Sequence, residues 1–175
     1  MNRRDFIKKG GLFISSIPFI GMVRAEGDKK GETLERVKLS ELEFDAEKGA
    51  VYHCDFGEED RFHMMLTNIR NHLSAYDYDP FQIKIVVVAN GEGLKFFMKT
   101  LKGTKWEKES IDTKRAYERA SSLTNYEVEF YVCQITIRGL KLKEENLFEF
   151  VKVVPSGVAT VSELQYKGFA YIKVM

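Results

Sequence analysis

The run Ile83-Lys84-Ile85-Val86-Val87-Val88-Ala89 constrains the fold more than any other stretch of this chain. It is rich in β-branched residues and scarcely alternates, whereas a strand with one face in water alternates apolar with polar. Such a run suits a strand covered on both faces, as in a parallel sheet. The flanking segments fit that frame. Val51–Cys54 reads as an earlier strand, and Asp55–Asp60 as a turn leading into an acidic helix start. Phe62, Met65, Leu66, Ile69, Leu73 and Tyr76 then recur at three- and four-residue spacing, the stripe of an amphipathic helix that ends before Pro80.

After Ala89, Asn90-Gly91-Glu92-Gly93 closes the strand and a short helical stretch holds Leu94, Phe96, Phe97 and Met98. The charged segment from Lys99 to Lys114, around the only tryptophan, Trp106, is expected to be a surface insertion. Ala116–Leu123 predicts a helix, Val128–Cys133 a strand, Leu140–Phe148 a helix and Lys152–Val154 a strand. Pro155-Ser156-Gly157 turns the chain into a helix from Val158 to Tyr166, and Phe169–Val174 is a last strand. Strand and helix thus alternate through five strands. The expected fold is an open α/β sandwich with a mostly parallel sheet, whose ligand sites lie at the carboxyl ends of the strands.

The amino terminus carries different information. Asn2-Arg3-Arg4-Asp5-Phe6-Ile7-Lys8, followed by the uncharged stretch Gly10–Val23, has the pattern of a twin-arginine export leader. The stretch is short and broken by Gly, Ser and Pro18, against the roughly 20 apolar residues of a membrane span. Val23-Arg24-Ala25 places cleavage before Glu26; an uncleaved membrane anchor is the alternative. Residues 1–25 are therefore read as a signal peptide, 26–48 as a charged arm or linker, and 49–175 as one domain. The expected location is the periplasm or another extracytoplasmic space, and the expected partner during export is the twin-arginine translocase. Of the 27 basic and 26 acidic residues, the leader holds five basic and one acidic, which leaves 22 against 25. With no basic stripe interleaved with aromatics, nothing supports nucleic-acid binding.

Cys54 and Cys133 are the two cysteines, and without a CxxC they make no zinc pattern. Outside the cytoplasm they can be a disulfide, two inert thiols, or include a working thiol. Cys133 ends a strand at the edge where such folds place their sites. Amides of a following helix and the cation of Arg138 would favour its thiolate; the alternative is a buried cysteine packing as a small apolar residue. His53 can serve as a base oriented by Asp55, or be a polar residue hydrogen-bonded at a strand end. His63 and His72 lie off the apolar stripe, expected to face solvent or a subunit contact, and three scattered histidines do not make a metal site. Asn90, Gly91, Gly93 and Thr136 are expected to line the cleft beside Cys133. The glycine loop lacks the full GxGxxG or GxxxxGK pattern and reads as a tight turn rather than a phosphate cradle. No cofactor is assigned.

Several blocks together resemble the DsrE/DsrF-like proteins, which include sulfur-relay subunits and the YchN-like proteins. Cys133-Gln134-Ile135-Thr136-Ile137-Arg138-Gly139-Leu140 is similar to the family's Cys, then Arg-Gly-aliphatic pattern. Tyr52-His53 with Asp55 resembles its first strand, Asn68–Leu73 its first helix, and Val87–Gly93 its second strand and glycine turn. Val153–Val158, with Gln165, Gly168 and Tyr171, resembles the ending of its single-domain members. The resemblance spans residues 50 to 174. It implies a three-layer α/β/α domain with a five-stranded sheet that assembles into trimers or hexamers, and a cysteine that carries sulfur as a persulfide. By position Cys133 would be the carrier, Arg138 a helper, and a sulfur donor or acceptor protein the partner. The resemblance also makes the first and third strands neighbours, so that Cys54 could pair with Cys133 if their Cα atoms lie within about 7 Å. The relay subunits are cytoplasmic and leaderless, so their partners do not transfer. Function is thus expected to be the binding or relay of sulfane sulfur on Cys133 in an exported protein; the alternative is a non-catalytic oligomeric module that binds a small ligand or serves assembly.

Overall fold

The computed structural model describes residues 33–175, so the leader and the first residues of the arm lie outside the described residues. Five strands, β1 (Lys48–Cys54), β2 (Ile83–Ala89), β3 (Glu129–Cys133), β4 (Val151–Val154) and β5 (Phe169–Ile172), form one sheet in the order β4-β3-β2-β1-β5. All pairings are parallel. The expected sandwich is the fold found, and β2, buried at every position, is its central strand.

Helices α1 (Glu59–Ser74) and α2 (Thr113–Thr124) cover one face. Their buried residues Phe62, Met65, Leu66, Ile69, Leu73, Ala116, Ala120 and Leu123 pack with Tyr52, Cys54, Ile85, Val87, Phe130 and Val132 of the sheet. Helix α4 (Gly157–Tyr166) covers the other face, where Val161 and Leu164 meet Val51, Val86, Val88, Tyr131 and Val154. Because side chains alternate along a strand, this division assigns each residue near the strand ends to a face. Caps start the helices where backbone donors would otherwise be unpaired: Asp112 Oδ1 accepts from Arg115 N at 2.9 Å, and Ser156 Oγ from Ala159 N at 3.4 Å.

Three segments differ from expectation. The helix expected at Leu140–Phe148 instead starts straight from the end of β3, as the short α3 (Gln134–Gly139); only a 3-10 turn, Glu144–Asn146, follows. Residues 36–44 are no free arm. Val37 N donates to Val153 O at 2.9 Å, which covers the outer edge of β4, and Leu42 is fully buried on the α4 face. An exposed strand edge invites pairing with another chain, and this segment blocks it. The segment between Lys99 and Lys114 is tied down: Trp106 is buried and its Nε1 donates to Glu92 Oε2 at 2.6 Å. Among the described residues, no helix is long and apolar enough to cross a membrane.

Candidate functional site at the carboxyl edge

The path of the chain makes a crevice at one place. After β3 the chain leaves on the α1/α2 side, where Ile137 of α3 joins that core, and after the neighbouring β4 it leaves on the α4 side. Two adjacent strands whose connections depart to opposite faces define the topological switch point at which open α/β sheets bind ligands. Cys133, the last residue of β3 and the N-cap of α3, stands there.

By alternation Cys133 lies on the α4 face, with Tyr131, and the start of α4 closes over it. A Cβ added at Gly157, the first residue of α4, would come within 3.3 Å of Cys133 Cβ and 3.0 Å of Asn90 Cβ. Asn90 and Cys133 are therefore neighbours under one helix end. The thiol-bearing residue is 5% exposed.

Along the same face His53 of β1 pairs in register with Val88. His53 Nε2 donates to Asn90 Oδ1 at 2.5 Å, and its Nδ1 faces Asp55 Oδ2 at 3.9 Å, beyond hydrogen-bond reach. A row Asp55, His53, Asn90, Cys133 thus crosses three strand ends, with Asn90 between the imidazole and the thiol. His53 is occupied with Asn90 rather than with the thiol. The ring of Tyr171 on β5 stands edge-on to His53, 6.4 Å between centroids. Gly91, in the left-handed region at φ 56°, donates its amide to Thr136 Oγ1 at 3.1 Å, and Gly93 N donates to Asn90 O at 3.1 Å. Both amides are used inside the protein, so the loop is a turn that joins the end of β2 to α3.

Arg138 is exposed, in the last turn of α3, and turned back along the helix. The side-chain oxygen of Gln134, the residue after Cys133, accepts from it at 3.3 Å and from Arg36 at 2.6 Å once the amide is turned to satisfy both, so Arg138 is engaged with Gln134.

The condition for pairing Cys54 with Cys133 is not met. Strand β2 lies between β1 and β3, which separates Cα atoms on those strands by two spacings, about 10 Å, beyond disulfide reach. Cys54 also belongs to the opposite face. Both cysteines are free. Cys54 is fully buried, its Sγ 4.0 Å from Gly93 O, and burial pushes its thiol far above the ordinary range.

Of the two placements expected for the remaining histidines, solvent or a subunit contact, free exposure to solvent is not found within this chain. His63 is buried with neither ring nitrogen hydrogen-bonded, and burial, then Arg115 and Arg119, hold it below the usual imidazole value. His72 is partly buried, shares a hydrogen bond with Tyr52 OH at 3.1 Å, and is lowered by burial. Among the described residues no group of three His, Cys, Asp or Glu could hold a metal ion. Sequence reasoning missed Gly157 and Ser156 as site residues, although Ser before a helical stretch signals a cap. It also missed the role of Asn90 as His53's partner, for which the sequence holds no signal.

These features define a class: a single parallel α/β domain with a lone cysteine at its switch point, under the amino end of the last helix. The chain belongs to the DsrE/DsrF-like family, whose model matches residues 56–174. Among solved structures it is similar to a protein of unknown function from Methanobacterium thermoautotrophicum, at 27% identity and a TM-score of 0.58, over 72% of this chain and 98% of that one. No curated protein matches the chain.

Proposed function

We propose that this protein binds or relays sulfane sulfur as a persulfide on Cys133, in an exported homo-oligomer that meets a donor or acceptor protein. Family membership supports a sulfur-relay type of fold. The observation that carries the residue assignment is the contrast between the thiols: Cys133 alone stands at the switch point, whereas Cys54 is sealed in the core beneath Gly93. The chemistry is redox-neutral. The Cys133 thiolate attacks the outer sulfur of a polysulfide or thiosulfate, a new S–S bond forms, and the old S–S bond breaks. The electron pair leaves with the shortened polysulfide or with sulfite, and Cys133 holds the persulfide anion. Asn90, its side-chain oxygen held by His53, neighbours Cys133 under Gly157, and its amide is the donor assigned to the terminal sulfur in this reading. Export rests on the twin-arginine pattern, which falls outside the described residues.

Intact mass after exposure to polysulfide or thiosulfate tests the proposal. Gain of whole sulfur atoms by the wild type, reversed by reductant and absent in Cys133→Ser, is the expected result. Equal gain in that variant would refute it. The burial of Cys133 favours a second reading, a binding or assembly module in which this thiol only packs against Gly157. Under that reading native Cys133 resists alkylation until the protein is denatured; under the first it reacts in the native state.

A further inference from the structure

Most buried or half-buried lysines of this protein meet a carboxylate: Lys84 and Lys152 reach Glu129, and Lys95 reaches Glu109. Among the described residues, Arg70, Arg115 and Arg119 form no ion pair, and they gather on one seam. Helices α1 and α2 run side by side there. Glu59 Oε1 accepts from Asp112 N at 3.1 Å, Thr67 Oγ1 from Arg119 Nη2 at 2.8 Å, and Ser122 Oγ from Arg70 Nη2 at 3.3 Å. Successive turns of α1 thus face successive turns of α2. Arg115 precedes Arg119 by four residues, a spacing at which like charges repel. The seam opens as a groove of about 330 Å³, lined by Leu66, Thr67, Arg70, Arg119 and Leu123. Burial, then the charges of Arg115 and Arg70, lower the proton affinity of Arg119 itself. Glu59, on the same seam, is turned toward Asp112 N and His63.

We propose that this groove binds a small, multiply charged oxyanion of the phosphate type, held between Arg70 and Arg119 with Arg115 adding to the field. Guanidinium forks match the oxygens of such anions in paired hydrogen bonds. The leucines bring no competing acceptor, and the anion offsets a repulsion that the protein alone leaves in place. The groove lies on the face of the sheet opposite Cys133, so it is a separate site.

The test titrates the full-length chain with inorganic phosphate and with pyrophosphate, by calorimetry and by the shift in unfolding midpoint. Saturable binding of one anion per chain is expected, tighter for pyrophosphate and weakened by added chloride salt. Arg70→Gln and Arg119→Gln each weaken it roughly ten- to hundredfold, while Cys133→Ser leaves it unchanged. Without anion, Arg70→Gln melts no lower than wild type, because its side chain is exposed and its loss relieves like-charge repulsion; this variant keeps the test available should Arg119→Gln fold poorly. Absence of saturable binding, or wild-type affinity in both arginine variants, overturns the proposal. Stabilisation by an oligo-glutamate peptide but not by pyrophosphate overturns it too, and assigns the seam to an acidic protein.

Discussion

Gly93→Ala isolates the tightest approach in the fold. A Cβ at Gly93 would stand 2.0 Å from the carbonyl oxygen of Cys54, 2.6 Å from its carbon and 2.9 Å from its Sγ. The obstacle is backbone at the end of β1 and no side-chain rotation relieves it. Either β1 or the 3-10 turn Gly91–Phe97 must move by more than 1 Å, estimated from the roughly 3.5 Å at which non-bonded heavy atoms sit comfortably. Overpacking of this kind costs about 1–3 kcal/mol and sometimes more. Cys54 O also accepts from Asn90 N at 3.2 Å, and straining that bond adds about 1 kcal/mol. Together the loss is about 2–4 kcal/mol, read as a lower urea midpoint at unchanged slope. Gly139→Ala is the control, since a Cβ there meets nothing within 4 Å, and a change within about 0.5 kcal/mol is expected for a surface site. A loss at Gly93 below about 1 kcal/mol would refute the reasoning, because the strand end would then yield as readily as open surface.

Cys54 should resist iodoacetamide in the native state and react fully in urea, since burial holds its thiol protonated; peptide mapping of labelled Cys54 from folded protein would contradict this. His63 and His72 are lowered below the unfolded value of about 6.5, so their contribution to stability is complete above that pH and is lost as pH falls from there through their folded values. The unfolding midpoint should therefore drop between about pH 6.5 and 5, before most carboxylates titrate, and a flat midpoint across that range would count against it. His63→Leu should reduce that slope and raise stability at pH 7 by about 1 kcal/mol, because two unpaired ring nitrogens leave the core. Lys84→Met should cost about 3 kcal/mol in chemical unfolding, near the lower end for a broken buried pair, since Lys152 and Tyr131 still meet Glu129; a loss below about 1 kcal/mol would mean that they replace Lys84 entirely.

The sandwich was legible because its two strongest signals are local. Continuous β-branched burial marks β2, and a stripe at helical spacing marks α1. Misreadings fall where tertiary contacts decide. The helix after Cys133 is expected at Leu140–Phe148, yet it is α3, because the chain leaves the sheet edge directly at Cys133 and Ile137 reaches the core there. Val37 and Leu42 are too sparse to mark an element, and they are buried only because β4 and α4 leave a seam for them. Trp106 lies in a charged segment, and its anchor, Glu92, comes from the turn after β2. His63 sits off the main stripe of α1, but that flank faces α2, a neighbour the spacing within α1 cannot announce. The same holds for strand order. Whether β1 or β2 adjoins β3 follows from how the crossovers stack, and that one fact separates the two cysteines.

The row that ends at Cys133 has a chemical consequence. With its proton on Nε2 committed to Asn90, His53 keeps its free lone pair on Nδ1, toward Asp55 and away from the thiol. In this arrangement His53 is a polar residue hydrogen-bonded at a strand end, the other placement the sequence left open. His53 fixes the Asn90 side-chain carbonyl, and the Cβ atoms of Asn90 and Cys133 lie together under Gly157. A carrier that holds an anionic sulfur needs donors around that charge more than it needs a base, because no proton has to be moved once the thiolate has formed. Solvent-exposed Asp55 ends the row, its Oδ2 3.9 Å from His53 Nδ1. The row therefore sets Asn90, held by His53, between the imidazole and Cys133 at the switch point.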